Sequence, residues 1–205
     1  MLKLLESKKL HRLVNYNLQL LKEIISEQLT SLSESPFLKI KRPNGDPLMT
    51  LLEILSPEAI VVNLQGETKE EIIAELSKLV AKNCQIANSD DIFQAVIERE
   101  KIMSTGIGDG IAIPHGKSDS VDKLVAALGT KRRGVDFEAL DGEPAYVFFL
   151  LVSPTNISGP HIKALARISR YLKNEEFKKR LIAAHTSDDI ISIIRTEEEK
   201  HTSKP

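Results

Sequence analysis

The chain has 205 residues, a length typical of one ordinary domain with an additional segment. Its 28 basic and 29 acidic side chains nearly cancel, and it has six Phe, three Tyr and no Trp, so the basic surface and stacking platforms of a dedicated nucleic-acid-binding protein are lacking. The single cysteine, Cys84, excludes an intramolecular disulfide and a thiolate zinc cage, and we expect it to be a small buried apolar residue.

The N-terminus and the apolar runs argue against export and membrane insertion. The first ten residues include Glu6, Lys8 and Lys9, where a secretory signal peptide needs an unbroken apolar stretch. The longest strongly apolar run, residues 145–152, is far shorter than the roughly 20 residues of a transmembrane helix. We therefore expect a cytoplasmic protein without direct membrane insertion.

Residues 1–35 contain neither Gly nor Pro, and their apolar side chains recur at helical spacing, which predicts one long amphipathic helix. Its apolar stripe resembles a short coiled-coil seam and consists of Val14, Leu18, Leu21, Ile25 and Leu32. The stripe fits a homo-oligomer or partner contact, and it equally fits packing against the chain's own domain. Residues 36–49, with three prolines and a glycine, are predicted to be a linker.

From Thr50 onward predicted strands and helices alternate, which indicates an α/β domain over residues 50–196. Strands are predicted at residues 60–64, 111–113, 123–130 and 145–152. Helices are predicted at residues 68–80, 89–99, 160–172, 175–184 and 188–195. The first of these helices opens with a capping box formed by Thr68 and Glu71. Residues 104–110 are predicted to be a loop, and residues 197–205 a charged, frayed tail.

The most informative segment is residues 104–118, with the sequence STGIGDGIAIPHGKS. Its alternating glycines, Gly106, Gly108 and Gly110, allow tight turns whose successive amides can form an anion-binding concavity. The dinucleotide fingerprint and the P-loop each require a glycine where this chain has Ile111. Nucleotide binding is therefore not predicted.

The same segment presents a histidine. Pro114 fixes the chain before His115, and Gly116 removes side-chain cover after it. In a loop, the amides of His115, Gly116 and Lys117 would be free to face a ligand. A neutral imidazole is a competent nucleophile near its ordinary pKa of about 6.5, so His115 can accept a phosphoryl group. The alternative is a loop histidine with a structural hydrogen bond.

A second histidine, His161, lies in the first turn of the helix predicted at residues 160–172. The positive end of the helix dipole favours an anion there and disfavours imidazolium, so His161 would be a neutral hydrogen-bond donor. An ordinary surface histidine is the alternative. A zinc site is not predicted, because His115 and His161 lack an obvious third ligand, although Asp109 stays open as one.

Arg99 is the third candidate, because it ends the helix that leads into the glycine segment. A guanidinium at this position could clamp phosphoryl oxygens. Surface pairing with Glu98 or Glu100 is the alternative.

These residues together resemble the fructose/mannitol-type enzyme IIA domain of the bacterial sugar phosphotransferase system, a family that also has a free-standing nitrogen-regulatory branch. The resemblance covers about residues 50–195 and rests on four segments: RE at 99–100, STGIG through IPHGK at 104–117, VDF with LDGEP at 135–144, and PHIKAL at 160–165. It implies a three-layer α/β sandwich with a central mixed β-sheet flanked by helices, to which the N-terminal helical extension is added.

The resemblance also implies a phosphohistidine relay that uses no cofactor and no metal. An HPr-type carrier protein would hand a phosphoryl group to His115, His161 would help to hold it, and Arg99 would stabilise it. The phosphoryl-binding loop would comprise Ser104, Thr105, Gly106, Gly108, Gly110, Gly116 and Lys117. We expect a partly apolar partner surface around this loop, with Ile107, Ile111 and Ile113 as contributors.

Two destinations of the phosphoryl group are compatible with the resemblance. In transporting members it moves to a IIB-type partner for sugar uptake of the fructose/mannitol class. In nitrogen-branch members the phosphorylation state controls binding to regulatory protein targets. The sequence leaves the branch and the sugar open.

Overall fold

The computed structural model of the chain describes residues 50–202. The predicted helix at residues 1–35 and the predicted linker at 36–49 lie outside the described residues. Within residues 50–202, six helices and six strands follow one another. The strands are β1 Leu55–Val61, β2 Gly106–Gly108, β3 Ile111–Ala112, β4 His115–Lys117, β5 Val125–Val135 and β6 Ala145–Ser153. The helices are α1 Leu51–Ile54, α2 Lys69–Asn83, α3 Asp90–Ile102, α4 Gly159–Leu172, α5 Glu175–Ala183 and α6 Ser187–Thr202.

The strands form one mixed sheet in the order β1-β5-β6-β3-β2, and β4 also pairs with β6. β1 is parallel to β5, β5 is antiparallel to β6, and β3 and β4 are both parallel to β6. Ile111 lies opposite Val147 and His115 lies opposite Leu151, so β3 and β4 follow each other along the same edge of β6. This pairing carries His115 to an edge of the sheet beside its central strand.

Helices cover both faces of the sheet centre. Along β6 every residue from Val147 to Ser153 is buried, and so are the first seven residues of β5. Because neighbouring strand residues point to opposite faces, such continuous burial requires packing layers on both faces. The fold is therefore an α/β sandwich with a mixed sheet, as the family resemblance implies.

Capping side chains define the N-termini of two helices, α2 and α5. The capping box of α2 is confirmed, since the Thr68 side chain accepts from the Glu71 amide and the Glu71 carboxylate accepts from the Thr68 amide. The Asn174 side chain caps α5 by accepting from the amides of Glu176 and Phe177. α3 packs on the core through one face, on which Ile92 and Val96 are fully buried.

Several boundaries differ from the predictions. The strand predicted at residues 60–64 is β1 Leu55–Val61, which lies at the sheet edge, where a proline such as Pro57 needs no ladder partner for its missing N–H. The predicted loop at residues 104–110 contains β2, because Gly106 and Gly108 pair with Ala112 and Ile111. β4 was likewise not predicted, because three residues carry no strand periodicity.

The chain end and the cysteine also differ from expectation. Helix α6 continues to Thr202, so the prediction of a frayed tail is wrong for residues 197–202. The buried Glu197 carboxylate accepts a hydrogen bond from Asn174, and that of Glu198 accepts one from the Leu51 amide, which ties this part of α6 to the domain. Cys84 is half-buried rather than fully buried and packs against the core.

Gly116 allows α3 to cross β4 at close range. A Cβ atom added to Gly116 would lie 2.9 Å from the Ala95 carbonyl and 3.0 Å from the Val96 amide nitrogen. Both are backbone atoms, which cannot move aside as a flexible side chain can. The glycine is thus required for helix packing, whereas the sequence suggested that it uncovers His115.

We predict that Gly116→Ala lowers the free energy of unfolding by about 1–3 kcal/mol, because the added methyl forces α3 away from β4. Urea denaturation of the variant and the wild type measures the change. Gly159→Ala is the matched control, since a Cβ at Gly159, in the first turn of α4, meets no atom within 4 Å. Equal stability of the two variants would contradict the close packing described here.

Candidate functional site

Strand β4 fixes the main chain around His115. The Leu151 amide donates to the Pro114 carbonyl (3.0 Å) and the Ser118 amide donates to the Ser153 carbonyl (2.9 Å). Since alternate residues of a strand turn their backbone groups to opposite edges, positions 114, 116 and 118 face β6, and His115 and Lys117 face away. In the described part of the sheet no strand pairs with that outer edge. Two of the three amides predicted to be free, those of His115 and Lys117, therefore point away from the ladder, and that of Gly116 does not.

The His115 side chain is held by a backbone carbonyl. Its Nδ1 lies 2.8 Å from the Ile113 carbonyl oxygen. A carbonyl oxygen can only accept, so Nδ1 carries the proton and donates it. In the neutral ring the other nitrogen, Nε2, then carries the lone pair. The predicted alternative, a structural hydrogen bond, is thus present, and it leaves Nε2 in the form that a nucleophile requires.

His161 lies beside His115, although 46 positions of sequence separate them. Their ring centroids are 5.8 Å apart and the ring planes are inclined by 56°. His161 is only 5 % exposed, which excludes the alternative of an ordinary surface histidine. Its Nδ1 lies 2.8 Å from the Ser153 hydroxyl oxygen at the end of β6. Both imidazoles therefore have Nδ1 engaged with the protein.

Both histidines are shifted toward the neutral state. Burial lowers the pKa of His115 from its ordinary value of 6.5; the hydrogen bond to Ile113 opposes the shift, and the charge of Arg99 adds to it. The pKa of His161 is lowered to about 4, chiefly by burial and further by the charges of His115 and Lys117. The lowered pKa agrees with the neutral state predicted for His161, and burial is its main cause.

Arg99 lies in the last turn of α3, and its charge acts on His115. Its Nη1 donates to the Met103 carbonyl (2.9 Å), which holds the guanidinium at the helix end. Among the described residues Arg99 forms no ion pair, and Glu100, one of its predicted alternative partners, pairs with Lys69 instead.

A buried ion pair supports the strand before His115. The Glu100 carboxylate accepts from the Lys69 ammonium (3.0 Å) and from the Thr105 amide (3.0 Å), and the Thr105 hydroxyl also donates to it. The Thr105 carbonyl accepts from the Ile113 amide (3.0 Å). Since Ile113 also holds the His115 ring, an unbroken series of hydrogen bonds runs from Lys69 to the imidazole.

The glycine turn holds an anion of the chain itself. Gly108 and Gly110 have positive φ angles of 89° and 76° at the turn between β2 and β3. The Asp109 amide in this turn donates to the Asp141 carboxylate (2.8 Å), and the hydrogen bond lowers the pKa of Asp141. The Gly110 carbonyl accepts from the Tyr146 amide (2.7 Å). The anion-binding character predicted for the turn is thus used by Asp141.

The remaining predicted loop residues have internal contacts. The Ser104 hydroxyl donates to the Phe137 carbonyl (2.7 Å) and accepts from the Gly106 amide (3.1 Å). The Lys117 ammonium donates to the Ser158 hydroxyl (2.7 Å) before α4, and its charge reaches His161. Lys117 therefore lies at the histidine pair, whereas Ser104, Gly106, Gly108 and Gly110 support the main chain leading to it. A direct phosphoryl contact of these four stays a prediction.

Large apolar side chains are exposed at the end of α3, on β2 and on the segment hydrogen-bonded to β2. In the described residues the large exposed apolar side chains are Ile102, Met103, Ile107 and Leu140. The first two end α3 just after Arg99, and the Leu140 amide donates to the Gly106 carbonyl beside Ile107. Of the apolar residues predicted at a partner surface, Ile107 is exposed, whereas Ile111 and Ile113 belong to the core.

Sequence reasoning missed three supporting residues. Lys69 is a first-turn helix residue far from the glycine segment, and nothing in the sequence pairs it with Glu100. Asp141 was noted only as part of a motif. Ser153 gave one usable signal, since it is the polar residue that ends a long buried apolar run.

Residues 50–202 contain no group of three or more His, Cys, Asp or Glu side chains placed to bind a metal ion. No helix within residues 50–202 has the length and apolar character needed to cross a membrane.

The chain is similar to known proteins in sequence and in fold. A sequence model described as "Phosphoenolpyruvate-dependent sugar phosphotransferase system, EIIA 2" matches residues 53–197, well over half of the chain. A fructose-specific EIIABC component of Bacillus subtilis is 38% identical over 146 residues, which cover 71% of this chain and 23% of that protein.

Nitrogen-regulatory proteins match as well. A nitrogen regulatory protein of Bradyrhizobium diazoefficiens is 34% identical over 148 residues, covering 71% of this chain and 95% of that protein. The crystal structure of the nitrogen regulatory protein IIA-Ntr of Neisseria meningitidis superposes with a TM-score of 0.65 at 29% identity, covering 69% of this chain and 97% of that one. On these grounds the chain belongs to the EIIA 2 family of the phosphoenolpyruvate-dependent sugar phosphotransferase system.

Proposed function

We propose that this chain is a phosphohistidine carrier that accepts a phosphoryl group on Nε2 of His115 from an HPr-type protein. The observation that carries the proposal is the hydrogen bond from His115 Nδ1–H to the Ile113 carbonyl. It holds one tautomer, so the nucleophilic lone pair lies on Nε2 without any proton having to leave.

The phosphoryl transfer requires no general base, because no proton has to leave Nε2 of His115. The Nε2 lone pair forms the N–P bond while the bond from phosphorus to the donor's histidine nitrogen breaks, and that electron pair returns to the donor nitrogen. The phosphorylated ring keeps its Nδ1 proton and carries a positive charge beside the phosphoryl dianion. The Ile113 carbonyl and the nearby Glu100 carboxylate favour that charge. In the onward step the electron pair returns to Nε2, and the neutral ring is restored.

We propose that three groups hold the transferred phosphoryl group. His161 supplies a neutral imidazole 5.8 Å from His115 between centroids, Arg99 supplies a guanidinium, and the outer edge of β4 supplies amides. Preorganised donors of this kind stabilise phosphoryl charge without a metal ion. The buried setting also limits access of water to the N–P bond.

The exposed apolar side chains beside Arg99 suit a protein rather than a small-molecule donor. Ile102 and Met103, which follow Arg99 at the end of α3, offer apolar side chains that a carrier protein can cover during transfer. Ile107 and Leu140 add exposed apolar side chains on β2 and on the segment hydrogen-bonded to it.

For the onward step we propose transfer to a IIB-type partner for sugar uptake of the fructose/mannitol class. The fructose-specific relative, at 38% identity, supports this acceptor. A second candidate is the nitrogen-regulatory role, in which the phosphorylation state controls protein partners without sugar transfer. It is favoured by the match over 95% of a nitrogen regulatory protein. Incubation of the labelled phosphoprotein with a purified IIB partner distinguishes the two. Transfer of the label to the partner supports the transport role, and retention of the label on this chain supports the regulatory role.

We predict that incubation with phosphoenolpyruvate, enzyme I and an HPr-type carrier places an acid-labile, base-stable phosphate on His115. His115→Ala is expected to abolish labelling, because the nucleophile is lost. Mass spectrometric mapping of the modified residue is the measurement. His185→Ala serves as control, since His185 is an exposed histidine held by Arg132. Full labelling of His115→Ala would refute the proposal.

We predict that the imidazole of His161 titrates with a midpoint near pH 4, and that of His115 with a midpoint below 6.5. Because the unfolded chain protonates its histidines near pH 6.5, the folded state binds fewer protons than the unfolded state as the pH is lowered from about 6.5 to 4. The free energy of unfolding should therefore fall between about pH 6.5 and pH 4. The imidazole Cε1–H chemical shifts, followed by NMR against pH, measure both midpoints. Midpoints of 6.5 or higher would show that burial does not keep the pair neutral.

We also propose that residues 1–35 mediate a homo-oligomer through the stripe of Val14, Leu18, Leu21, Ile25 and Leu32. Removing residues 1–35 is expected to lower the molecular mass in light scattering by more than the deleted segment accounts for. Labelling of His115 should stay unchanged, because the histidine pair is built from residues 99–161. An unaltered assembly state would assign the stripe to packing within one chain.

A further inference from the structure

Ser153 contacts His161, and the phosphoryl transfer proposed above assigns Ser153 no role. It is the last residue of β6, it is fully buried, and it lies opposite Lys117 in the parallel ladder with β4. Its hydroxyl oxygen lies 2.8 Å from His161 Nδ1, 3.3 Å from the Pro154 carbonyl and 3.5 Å from the Ile157 carbonyl. The direction of the hydrogen bond between this hydroxyl and Nδ1 therefore corresponds to one or the other tautomer of His161.

Two arrangements of protons satisfy this contact, because a neutral imidazole has one N–H and a hydroxyl has one O–H. In the first, Ser153 donates to His161 Nδ1, and His161 carries its proton on Nε2. In the second, His161 Nδ1–H donates to Ser153, and the hydroxyl proton must go to the carbonyl of Pro154 or Ile157.

The distances favour the first arrangement. A hydroxyl donor is typically about 2.7–2.8 Å from its oxygen acceptor, and both carbonyls lie well beyond that distance from Ser153. Donation to Nδ1 uses the hydroxyl proton in the short contact of 2.8 Å. In the second arrangement the hydroxyl proton of the buried Ser153 can reach only the two distant carbonyls, of Pro154 and Ile157.

The neighbouring imidazole points to the same arrangement. The Ile113 carbonyl holds the proton of His115 on Nδ1, which leaves a lone pair on its Nε2. A second lone pair on Nε2 of His161 would add repulsion within the ring pair and against the oxygens of any phosphoryl group bound there. An N–H on Nε2 of His161 can instead donate a hydrogen bond to the lone pair on His115 Nε2 or to a phosphoryl oxygen.

We propose that Ser153 is a positioning residue, which donates its hydroxyl proton to His161 Nδ1 and thereby holds His161 as the Nε2–H donor to the phosphoryl group on His115. The inference rests on the proposed phosphocarrier function and adds a part to it. The two imidazoles then have opposite tautomers, one imposed by a carbonyl and one by a hydroxyl. His115 can only attack through Nε2, and His161 can only donate through Nε2.

The tautomers can be read without any phosphoryl transfer. In the full chain labelled with [15N]histidine at pH 7, long-range 1H–15N NMR separates protonated from unprotonated ring nitrogens. We expect Nε2 of His161 to be protonated and Nδ1 unprotonated, and the reverse in His115. Protonation of His161 at Nδ1 overturns the proposal, whether or not His115 accepts phosphate.

Variants then test the role of the hydroxyl. Ser153→Ala is expected to bring the two 15N shifts of His161 toward each other, because no donor selects one tautomer. It should also slow phosphoryl acceptance about fivefold, the effect of losing one ordinary hydrogen bond. Ser153→Thr keeps a hydroxyl and should restore the nitrogen shifts. Unchanged His161 shifts in Ser153→Ala would overturn the proposal.

Ser77→Ala is the matched control. Ser77 is also fully buried, on α2, and its hydroxyl has no hydrogen-bond partner in the described part of the chain. It should leave both the nitrogen shifts and the rate of acceptance unchanged; an equal loss of rate in both variants would assign the effect of Ser153→Ala to packing. If wild-type His115 takes no phosphate while the nitrogens of His161 behave as expected, the proposed function fails and the tautomer assignment stands.

Discussion

The chemistry of this domain depends on one hydrogen bond, from His115 Nδ1–H to the carbonyl of Ile113, two residues earlier in the chain. It sets the tautomer and directs the lone pair to Nε2, and in the proposed carrier function it favours the positive charge of the phosphorylated ring. A side-chain carboxylate in the same place would favour the imidazolium more strongly and remove the nucleophile. A backbone carbonyl, which carries only a partial charge, suits a group that must be taken up and released again.

The rest of the domain keeps that carbonyl in place. Ile113 is fixed on one side by the Thr105 carbonyl, which the buried pair of Glu100 and Lys69 supports, and β4 pairs with β6 immediately after it. Buried ion pairs contribute little net stability, but they hold geometry when every partner is satisfied. In this domain the partners of Glu100 are an ammonium, an amide and a hydroxyl, so the segment that carries the active imidazole has little freedom to shift.

The sequence singled out the segment around His115, and it misassigned part of the structure of that segment. Pro114, His115 and Gly116 stand out locally, and so do the first-turn position of His161 and the helix-end position of Arg99. The short strands β2 and β4 were missed because two or three residues carry no periodicity, and they exist only through pairing with β3 and β6. Because β4 pairs with β6, Gly116 lies against α3, and its missing side chain allows the helix to pack there instead of uncovering His115. The same pairing directs the Gly116 amide, one of the three predicted to be free, toward β6.

The sequence alone determined what depends on neighbours in the chain: the alternation of strands and helices, the capping of α2 and α5, the apolar strand β6, and a histidine between proline and glycine. Hydrogen bonds and periodicity over a few residues decide these features. Only the tertiary structure decided that His161 lies beside His115, that Glu100 binds Lys69, that Asp141 fills the glycine turn and that Ser153 reaches His161. Apart from the bond between Ser153 and His161, these contacts join residues about 30 or more positions apart, and even that one depends on how β6 and α4 pack. Burial, which makes both histidines neutral, is likewise a property of the packed domain and of no single segment.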